Sequence, residues 1–349
     1  MALFLKKADL SACDGAASFL QSGFWGTFKA RFGWEALAFK LDWGPDQTEK
    51  PGETKTLLVL CRSLSRFFSL AYIPWGPELP ADCSDRHAAL KDLAAALKKQ
   101  LPKDTAFIRF DPPWFSEDAA PPDMGPPFLR SGADIQPPDT VVIDLEQSME
   151  SIMEQMKPKW RYNARLAIKK GVNVRRAGVE EIDVFYGLLE ETAKRDGISI
   201  HSLEYYKALL ELAASHSALK VRLYLAEHEG EILAGIVALF RGREAVYLYG
   251  ASSDKKRNLM APYALQIKAM EDAKDQGCRE YDLFGIPPNE DPLHPMAGLY
   301  RFKTGFGGRI IHRPGSWDYP CRPMAYRLFR SAEILRKKLW TYKKKRNRL

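Results

Sequence analysis

Hydrophobic and polar positions along the chain follow two periods, and each period predicts a type of element. Short apolar runs rich in β-branched and aromatic residues predict strands at 54–62 and 279–286. Apolar residues three and four positions apart predict helices, most clearly at 85–102, 178–197 and 253–278. Since helices and strands are mixed throughout, we expect an α/β (α+β) fold.

The second half of the chain has a recognisable order of elements. A basic helix that ends at Gly171 and the helix at 178–197 precede the hydrophobic runs of 221–252. The tetrapeptides HEGE and RGRE divide these runs and predict tight turns between three antiparallel strands. A helix and a buried strand follow. The order helix, helix, three strands, helix, strand resembles the GNAT acyltransferase fold.

One segment bears on the acyl donor. In CoA-dependent proteins of that fold, a glycine-rich loop before the next helix holds a pyrophosphate with its backbone N–H groups. The equivalent segment here is RNLMAP, 257–262, in which Leu259 and Met260 bring side chains and Pro262 lacks an N–H. The sequence therefore predicts an acyltransferase scaffold without a CoA cradle and with a different acyl donor.

Length and composition narrow the class of protein. A chain of 349 residues exceeds the size at which one hydrophobic core keeps growing, so we expect two domains. Five widely spaced cysteines without a CxxC motif or clustered histidines predict no disulfide framework and no metal site. The formal charge of +8 indicates an anionic partner. Because no apolar run approaches the roughly 20 residues of a membrane span and the N-terminus does not resemble a secretory signal, we expect a cytoplasmic protein.

Seven segments along nearly the whole chain, among them a tyrosine-rich stretch and an RFKxGFGG motif, point to a known family. They are FLQSGFWGTFKARFGW (19–34), FIRFDPPW (107–114), MKPKWRYNARLAIKKGV (156–172), RDGISIHSLEYY (195–206), YLYGASSDKKRNLMAPYALQ (247–266), CREYDLFGI (278–286) and GLYRFKTGFGG (298–308). In sequence and in order they resemble the FemABX peptidyltransferases, which use aminoacyl-tRNA to add an amino acid to the peptidoglycan stem peptide.

The resemblance implies two GNAT-like acyltransferase domains, with the C-terminal tail returning to the first. The implied limits are 1–145 plus 314–349 for domain 1 and 146–313 for domain 2. Some relatives carry a long coiled-coil pair inserted in the second domain. No charged heptad stretch of that length lies between Ile200 and Lys220, so we expect the compact form.

The resemblance also implies residues that bind the precursor's diphosphate and sugar-peptide portion. The family's lysine falls on Lys29 and its tyrosines fall on Tyr205 and Tyr249, while the position of its arginine is occupied by His201. A neutral imidazole cannot form the two parallel hydrogen bonds that a guanidinium makes to a phosphate. Each of these residues has a structural alternative, such as a solvated cation or a packed core aromatic.

Three further residues take catalytic roles by resemblance. The family's acidic residue falls on Asp111, which would hold the acceptor amine and take its proton, and the Phe-Lys pair falls on Phe302 and Lys303. We expect Lys303 to be held by Phe302 and Tyr300 and to neutralise developing oxyanion charge, and the glycines that follow to let backbone approach the acceptor. The alternatives are a turn-capping Asp111 and a surface Lys303 in an aromatic-rich turn.

The basic segments predict partners. Arg161, Arg165 and Lys169 recur every four residues and form a candidate track for tRNA phosphates. The tail at 336–349 interleaves aromatic residues with cations and could touch nucleic acid or, peripherally, the inner membrane surface.

The resemblance implies aminoacyl-tRNA as co-substrate, no other cofactor, and a UDP-linked or lipid-linked muramyl pentapeptide as acceptor. Two alternatives stay open, namely a CoA-dependent GNAT-type N-acyltransferase and a non-catalytic basic protein that binds nucleic acid or membrane.

Overall fold

The computed structural model describes residues 2–44, 54–116 and 123–346. The chain divides into two compact units by its internal contacts: unit 1 is Met1–Pro138 with Arg313–Leu349, and unit 2 is Asp139–His312. The limits of the two GNAT-like domains expected from sequence stay a prediction.

Fourteen strands and nine helices are formed by the described residues. The strands are β1 (Ala2–Ala8), β2 (Glu35–Gly44), β3 (Thr54–Ser65), β4 (Phe68–Ile73), β5 (Thr105–Phe110), β6 (Leu129–Arg130), β7 (Asp139–Asp144), β8 (Asn173–Ala177), β9 (Leu219–His228), β10 (Glu231–Arg241), β11 (Glu244–Ser252), β12 (Glu280–Ile286), β13 (Arg309–His312) and β14 (Trp317–Pro320). The helices are α1 (Gly23–Ala30), α2 (Arg86–Gln100), α3 (Met149–Gln155), α4 (Pro158–Lys169), α5 (Ile182–Asp196), α6 (Leu203–Ala214), α7 (Ala261–Asp275), α8 (Ala297–Thr304) and α9 (Pro323–Arg346).

The helix expected at 253–278 begins later than its pattern indicates. Lys256 and Met260 adopt left-handed φ angles of 45° and 59°, and a short 3₁₀ turn lies between them. The α7 helix therefore starts at Ala261, with Pro262 in its first turn, where a missing N–H costs no hydrogen bond. The prediction was wrong for 253–260, because apolar Leu259 and Met260 extend the helical pattern without adopting it.

Unit 1 is built on one seven-stranded sheet in the order β1-β2-β3-β4-β5-β14-β6. The β4 and β5 strands pair in parallel, and β14 pairs antiparallel with β5. Leucines of α2, including Leu93 and Leu97, pack against Leu57, Ile73 and Ile108 of the sheet in one core. The α1 helix packs on β2 and β3.

Unit 2 is built on a second seven-stranded sheet in the order β13-β7-β12-β11-β10-β9-β8. One core holds the α4 and α7 helices against the sheet, while α5 and α6 pack on β9, β10 and β11. The β11 and β12 strands pair in parallel only from Glu244 and Glu280 to Val246 and Asp282. Beyond those residues the two strands leave a fork.

The stretch from Ile200 to Lys220, where no coiled-coil pair was expected, is short and fully described. The α6 helix ends at Ala214 and β9 begins at Leu219, so the prediction of the compact form is confirmed. Among the helices of the described residues, none is both long and apolar enough to cross a membrane. The last three residues of the basic tail, 347–349, lie outside the described residues.

Candidate functional site

The amine of Lys303 lies in the fork between β11 and β12. Lys303 belongs to α8 and only 6% of it is exposed. Its Nζ donates a hydrogen bond to the carbonyl oxygen of Gly285 on β12 at 2.9 Å and lies 5.2 Å from the ring centroid of Tyr247 on β11. The alternative of a surface lysine in a turn is therefore wrong, because the residue is helical and buried.

Burial changes the chemistry of this amine. Removal from water lowers the pKa of Lys303 from 10.5 to about 7, and the nearby Asp282 carboxylate opposes the shift only in part. An amine with such a pKa can hold or release a proton at neutral pH. This property suits a group that neutralises transient negative charge or moves a proton.

Phe302 anchors the helix that carries Lys303. Its ring packs edge-on against Tyr263 and Phe306, with centroids 5.4 and 5.1 Å away, and its carbonyl oxygen accepts a hydrogen bond from Trp160 Nε1 at 2.8 Å. We expected Phe302 and Tyr300 to hold the lysine amine. The ring below that amine is instead Tyr247, which sequence reasoning missed.

The glycines after Lys303 serve packing inside unit 2. A Cβ on Gly305 would lie 2.1 Å from a ring carbon of Trp160, so that ring packs directly on the backbone. Gly308 has a φ of 84°, and a Cβ there would lie 2.4 Å from the carbonyl oxygen of Val142. These contacts account for the two glycines through the docking of α8 and β13, and the expected approach of backbone to an acceptor stays a prediction.

His201, Tyr205 and Tyr249 come together in unit 2. The imidazole of His201 stacks on Tyr205 with ring centroids 3.9 Å apart, and Tyr249 Oη lies 3.5 Å from Tyr205 Oη. Tyr206 completes the cluster, since its ring meets Tyr249 edge-on at 5.1 Å. Burial raises the pKa of Tyr205 to about 12. These phenols thus stay protonated at neutral pH and can donate hydrogen bonds to a ligand.

A β-bulge places the two tyrosines of β11 on different faces of the sheet. Val237 of β10 pairs with Tyr249 and Ala238 pairs with Tyr247, so Leu248 is the extra residue. Adjacent strand residues point to opposite faces, and paired residues share a face. Tyr247 therefore joins the core beside Lys303, whereas Tyr249 joins Tyr205 and Tyr206.

In the segment equivalent to a CoA loop, three positions have no backbone N–H available to a pyrophosphate. The N–H groups of Leu259 and Met260 donate to the carbonyls of Lys256 and Arg257, and the Leu259 side chain is buried in the core. Pro262 has no N–H. An acyl donor other than CoA stays a prediction.

In unit 1, Lys29 lies among tryptophans. Its Nζ lies 5.5 Å from the ring centroid of Trp25, one helical turn earlier, and 5.9 Å from that of Trp34. The guanidinium of Arg62 lies over the same Trp34 ring at 5.3 Å. Burial, with a contribution from Arg62, lowers the pKa of Lys29 to about 8. Two cations on one ring form a positively charged surface suited to an anion.

Asp111 is buried at the end of β5 with its carboxylate held on both oxygens. Its Oδ2 accepts hydrogen bonds from the hydroxyl of Tyr72 and the backbone N–H of Gln136, and its Oδ1 accepts from Ser316 Oγ at 2.5 Å. Burial raises the pKa of Asp111 to about 6, although the hydroxyl donors oppose that shift. The carboxylate can therefore take up a proton close to neutral pH.

The two predicted residues of unit 1 are joined through aromatic rings. Trp34, below the Lys29 amine, lies 6.1 Å from the ring of Tyr72, whose hydroxyl donates to Asp111. Sequence reasoning missed Tyr72, Arg62 and Ser316. Only their positions in the folded unit give them a part in the site.

The three residues of the predicted phosphate track lie on α4, and Lys169 is its last residue. Arg165 and Lys169 are exposed, and Arg161 is half-buried with its guanidinium donating to the carbonyl oxygen of Glu154 at 2.9 Å. Their role in binding tRNA stays a prediction.

Comparison with known proteins gives relatives of stated function. A family model described as the FemAB family matches residues 128–227 and 222–334. The lipid II:glycine glycyltransferase of Staphylococcus saprophyticus is 25% identical over 253 residues, which cover 56% of this chain and 61% of that protein. The chain thus matches less than two thirds of that relative's length.

Two solved structures share the fold. The crystal structure of FemX matches with a TM-score of 0.76 and 19% identity, covering 94% of this chain and 99% of that one. A tandem GNAT protein from the clavulanic acid biosynthesis pathway matches with a TM-score of 0.53 and 12% identity, covering 92% and 99%. These matches confirm the predicted tandem GNAT-like fold. Because the family model covers more than half of its residues, the chain belongs to the FemAB family.

Proposed function

We propose that this chain transfers an amino acid from aminoacyl-tRNA to the side-chain amine of the peptidoglycan precursor stem peptide. The observation that carries the proposal is the match of the FemAB family model to residues 128–227 and 222–334, and this chain also has a relative named as a lipid II:glycine glycyltransferase. That name favours a lipid-linked acceptor over a UDP-linked one. The N–H groups of Leu259 and Met260 already donate to carbonyls of their own segment, and this supports a donor other than CoA.

The proposed reaction needs a positive charge at the attacked ester. The acceptor nitrogen forms a bond to the carbonyl carbon, the oxygen of that carbonyl becomes an oxyanion, and the bond to the terminal ribose oxygen then breaks. Lys303, when protonated, is proposed to neutralise the oxyanion and to supply a proton to the departing ribose oxygen. Its hydrogen bond to Gly285 fixes the position of the amine before substrate arrives.

The same reaction must remove a proton from the acceptor amine. An alkyl amine has an unperturbed pKa near 10.4 and is mostly protonated at neutral pH. We assign the receipt of this proton to Asp111, whose pKa of about 6 lets the ionised form predominate at pH 7. Tyr72 and Ser316 hold the carboxylate in position.

Each unit by itself holds residues that are candidates for binding the precursor. In unit 1, Lys29 and Arg62 offer positive charge beside Trp34 to a phosphate. In unit 2, Tyr205 and Tyr249 offer hydroxyl groups and ring faces, and His201 stands at the position where relatives are expected to have arginine.

Replacing His201 by arginine is expected to tighten binding of the UDP-linked precursor by about tenfold, the effect of one added charge-assisted hydrogen bond of about 1.5 kcal/mol. A guanidinium can keep the stack on Tyr205 and stays charged at all relevant pH values. Calorimetric titration between about pH 6 and about pH 8 measures the effect. His216→Arg adds the same charge elsewhere in unit 2 and should leave affinity unchanged; equal affinities for all three proteins would count against the assignment.

The decisive test of the proposed function is a reconstituted reaction. Purified chain, tRNA charged with a mixture of radiolabelled amino acids, and either UDP-linked or lipid-linked muramyl pentapeptide should give a branched peptide visible by mass spectrometry. Ribonuclease added beforehand should abolish the product. Product formed from acetyl-CoA and the same acceptor would favour a CoA-dependent N-acyltransferase, and no product with any donor would favour a non-catalytic binding protein.

A further inference from the structure

The positive charge of the chain is concentrated in its C-terminal segment. Residues 323–349 contain ten lysines and arginines and one acidic residue, Glu333, for a formal charge of +9. The whole chain carries +8, so the other 322 residues sum to −1. Glu333 is itself paired with Arg330 at 2.6 Å. An anionic partner attracted by net charge is therefore attracted to this segment.

The α9 helix in this segment also exposes an apolar stripe. Met324, Leu328, Leu335 and Leu339 are 80%, 68%, 58% and 54% exposed. At 3.6 residues per turn, the four lie within about 60° of one another around the helix axis. Arg327, Arg336 and Lys338, all exposed, flank the stripe.

The opposite side of α9 is attached to unit 1. Tyr326 is buried, its hydroxyl donates to Asp318 at 3.1 Å, and its ring meets Phe107 of β5 at 5.2 Å. Phe329 packs on the same phenylalanine at 4.8 Å. The helix is thus held by one face, and the apolar stripe is not required for that attachment.

We propose that α9 docks the protein on an anionic lipid surface, with the stripe entering the boundary between headgroups and acyl chains. A helix with aliphatic residues on one face and cations beside them is suited to lie in that plane. Each cation near such a surface adds attraction. RNA would use cations and flat rings and would leave four aliphatic side chains in water. A second copy of the helix would bring another +9 against the first.

This inference does not depend on the proposed aminoacyl transfer, because a protein of any activity could dock in this way. If the proposed function holds as well, docking would bring the enzyme to a lipid-linked acceptor. Failure of one proposal would leave the other intact, because docking is measured by vesicle binding and aminoacyl transfer by product formation.

The test is co-sedimentation of the full chain with vesicles. Vesicles of equal parts phosphatidylglycerol and phosphatidylcholine should bind the protein, and vesicles of phosphatidylcholine alone should bind it at least tenfold more weakly. Leu328→Asn should weaken binding to the anionic vesicles about tenfold, the loss expected for one leucine side chain, and adding Leu335→Asn should weaken it further. Both leucines are exposed, so the variants should keep the wild-type thermal midpoint.

Leu293→Asn is the matched control, because Leu293 lies in unit 2 and is 89% exposed. It should bind vesicles as wild type does. The proposal is overturned if the leucine variants bind as wild type, since attraction would then be electrostatic only. It is equally overturned if the chain does not bind anionic vesicles but binds a single-stranded RNA oligonucleotide. A change from dimer to monomer in the leucine variants would also overturn it.

Discussion

Lys303→Met is expected to lower the rate of aminoacyl transfer about 10² to 10³-fold, the usual loss when one donor to a developing oxyanion is removed. Methionine has nearly the shape of the lysine stem but carries no charge or hydrogen-bond donor. The Lys303 amine is buried in the fork between β11 and β12, where removal from water strengthens its effect on nearby charge. Single-turnover rates with charged tRNA measure the loss directly.

The variant should remain folded. Lys303 has a pKa of about 7 in the folded chain against 10.5 when exposed, so between these values the unfolded chain holds a proton that the folded chain lacks. Stability therefore rises with pH from about 7 to about 10.5, and below about 7 the folded chain carries the full cost of a buried charge. At about 1.4 kcal/mol per pKa unit, that cost is about 4 to 5 kcal/mol. The variant no longer carries this cost, and it loses only about 1 to 3 kcal/mol by leaving the Gly285 carbonyl without its donor, so it should stay folded.

The pH profile distinguishes the proposed role from a structural one. If the protonated amine is the active form, the wild-type rate falls as pH rises through about 7, and this alkaline limb is absent in Lys303→Met. Lys220→Met, which removes an exposed lysine of unit 2, should keep both rate and profile. A rate that instead rises through about pH 7 would mean that neutral Lys303 acts as a base.

Sequence patterns predicted the three strands of 221–252 because they depend on local periodicity, but they missed β8 and the α6 helix. Each apolar run of 221–252 carries its own strand signal, and the turns between them have their own residues. The predicted start of α7 was too early, because the helical spacing of apolar residues continues through Met260 while the backbone at Met260 is left-handed. The segment of Lys303, for which an aromatic-rich turn was the alternative, is the α8 helix, held by the distant Trp160.

The partners of the site residues could not be predicted because they come from distant parts of the chain. The bulge at Leu248, which places Tyr247 beside Lys303, depends on the pairing of β11 with β10. Ser316 reaches Asp111 across 205 positions of sequence. No local pattern marks either residue, since an isolated serine or one tyrosine of a strand is ordinary. The family resemblance located Lys303 and Asp111 but carried no account of what surrounds them.

Asp111→Asn is expected to lower the rate about 10² to 10⁴-fold, the range for removing a general base. Asparagine keeps the shape of the side chain and can still accept from Ser316 or Tyr72, so the fold should persist. Burial raises the pKa of Asp111 from 3.8 to about 6, so the folded chain holds this proton more tightly and loses stability as pH rises from about 4 to about 6. The variant is therefore expected to be no less stable than wild type at neutral pH, which thermal unfolding measures. Asp92→Asn, on an exposed face of α2, is the control.

Ser316→Ala separates a base from a structural carboxylate. The wild-type rate should rise with pH through about 6 as Asp111 ionises, and Asp111→Asn should lack this limb. The hydroxyl of Ser316 favours the ionised carboxylate, so its removal raises the pKa of Asp111 further and moves the acid limb to higher pH. If Asp111 only holds the end of β5 in place, Ser316→Ala should lower the thermal midpoint and leave the acid limb of the pH–rate profile where it is. That result would transfer the deprotonation of the amine from Asp111 to the substrate or to solvent.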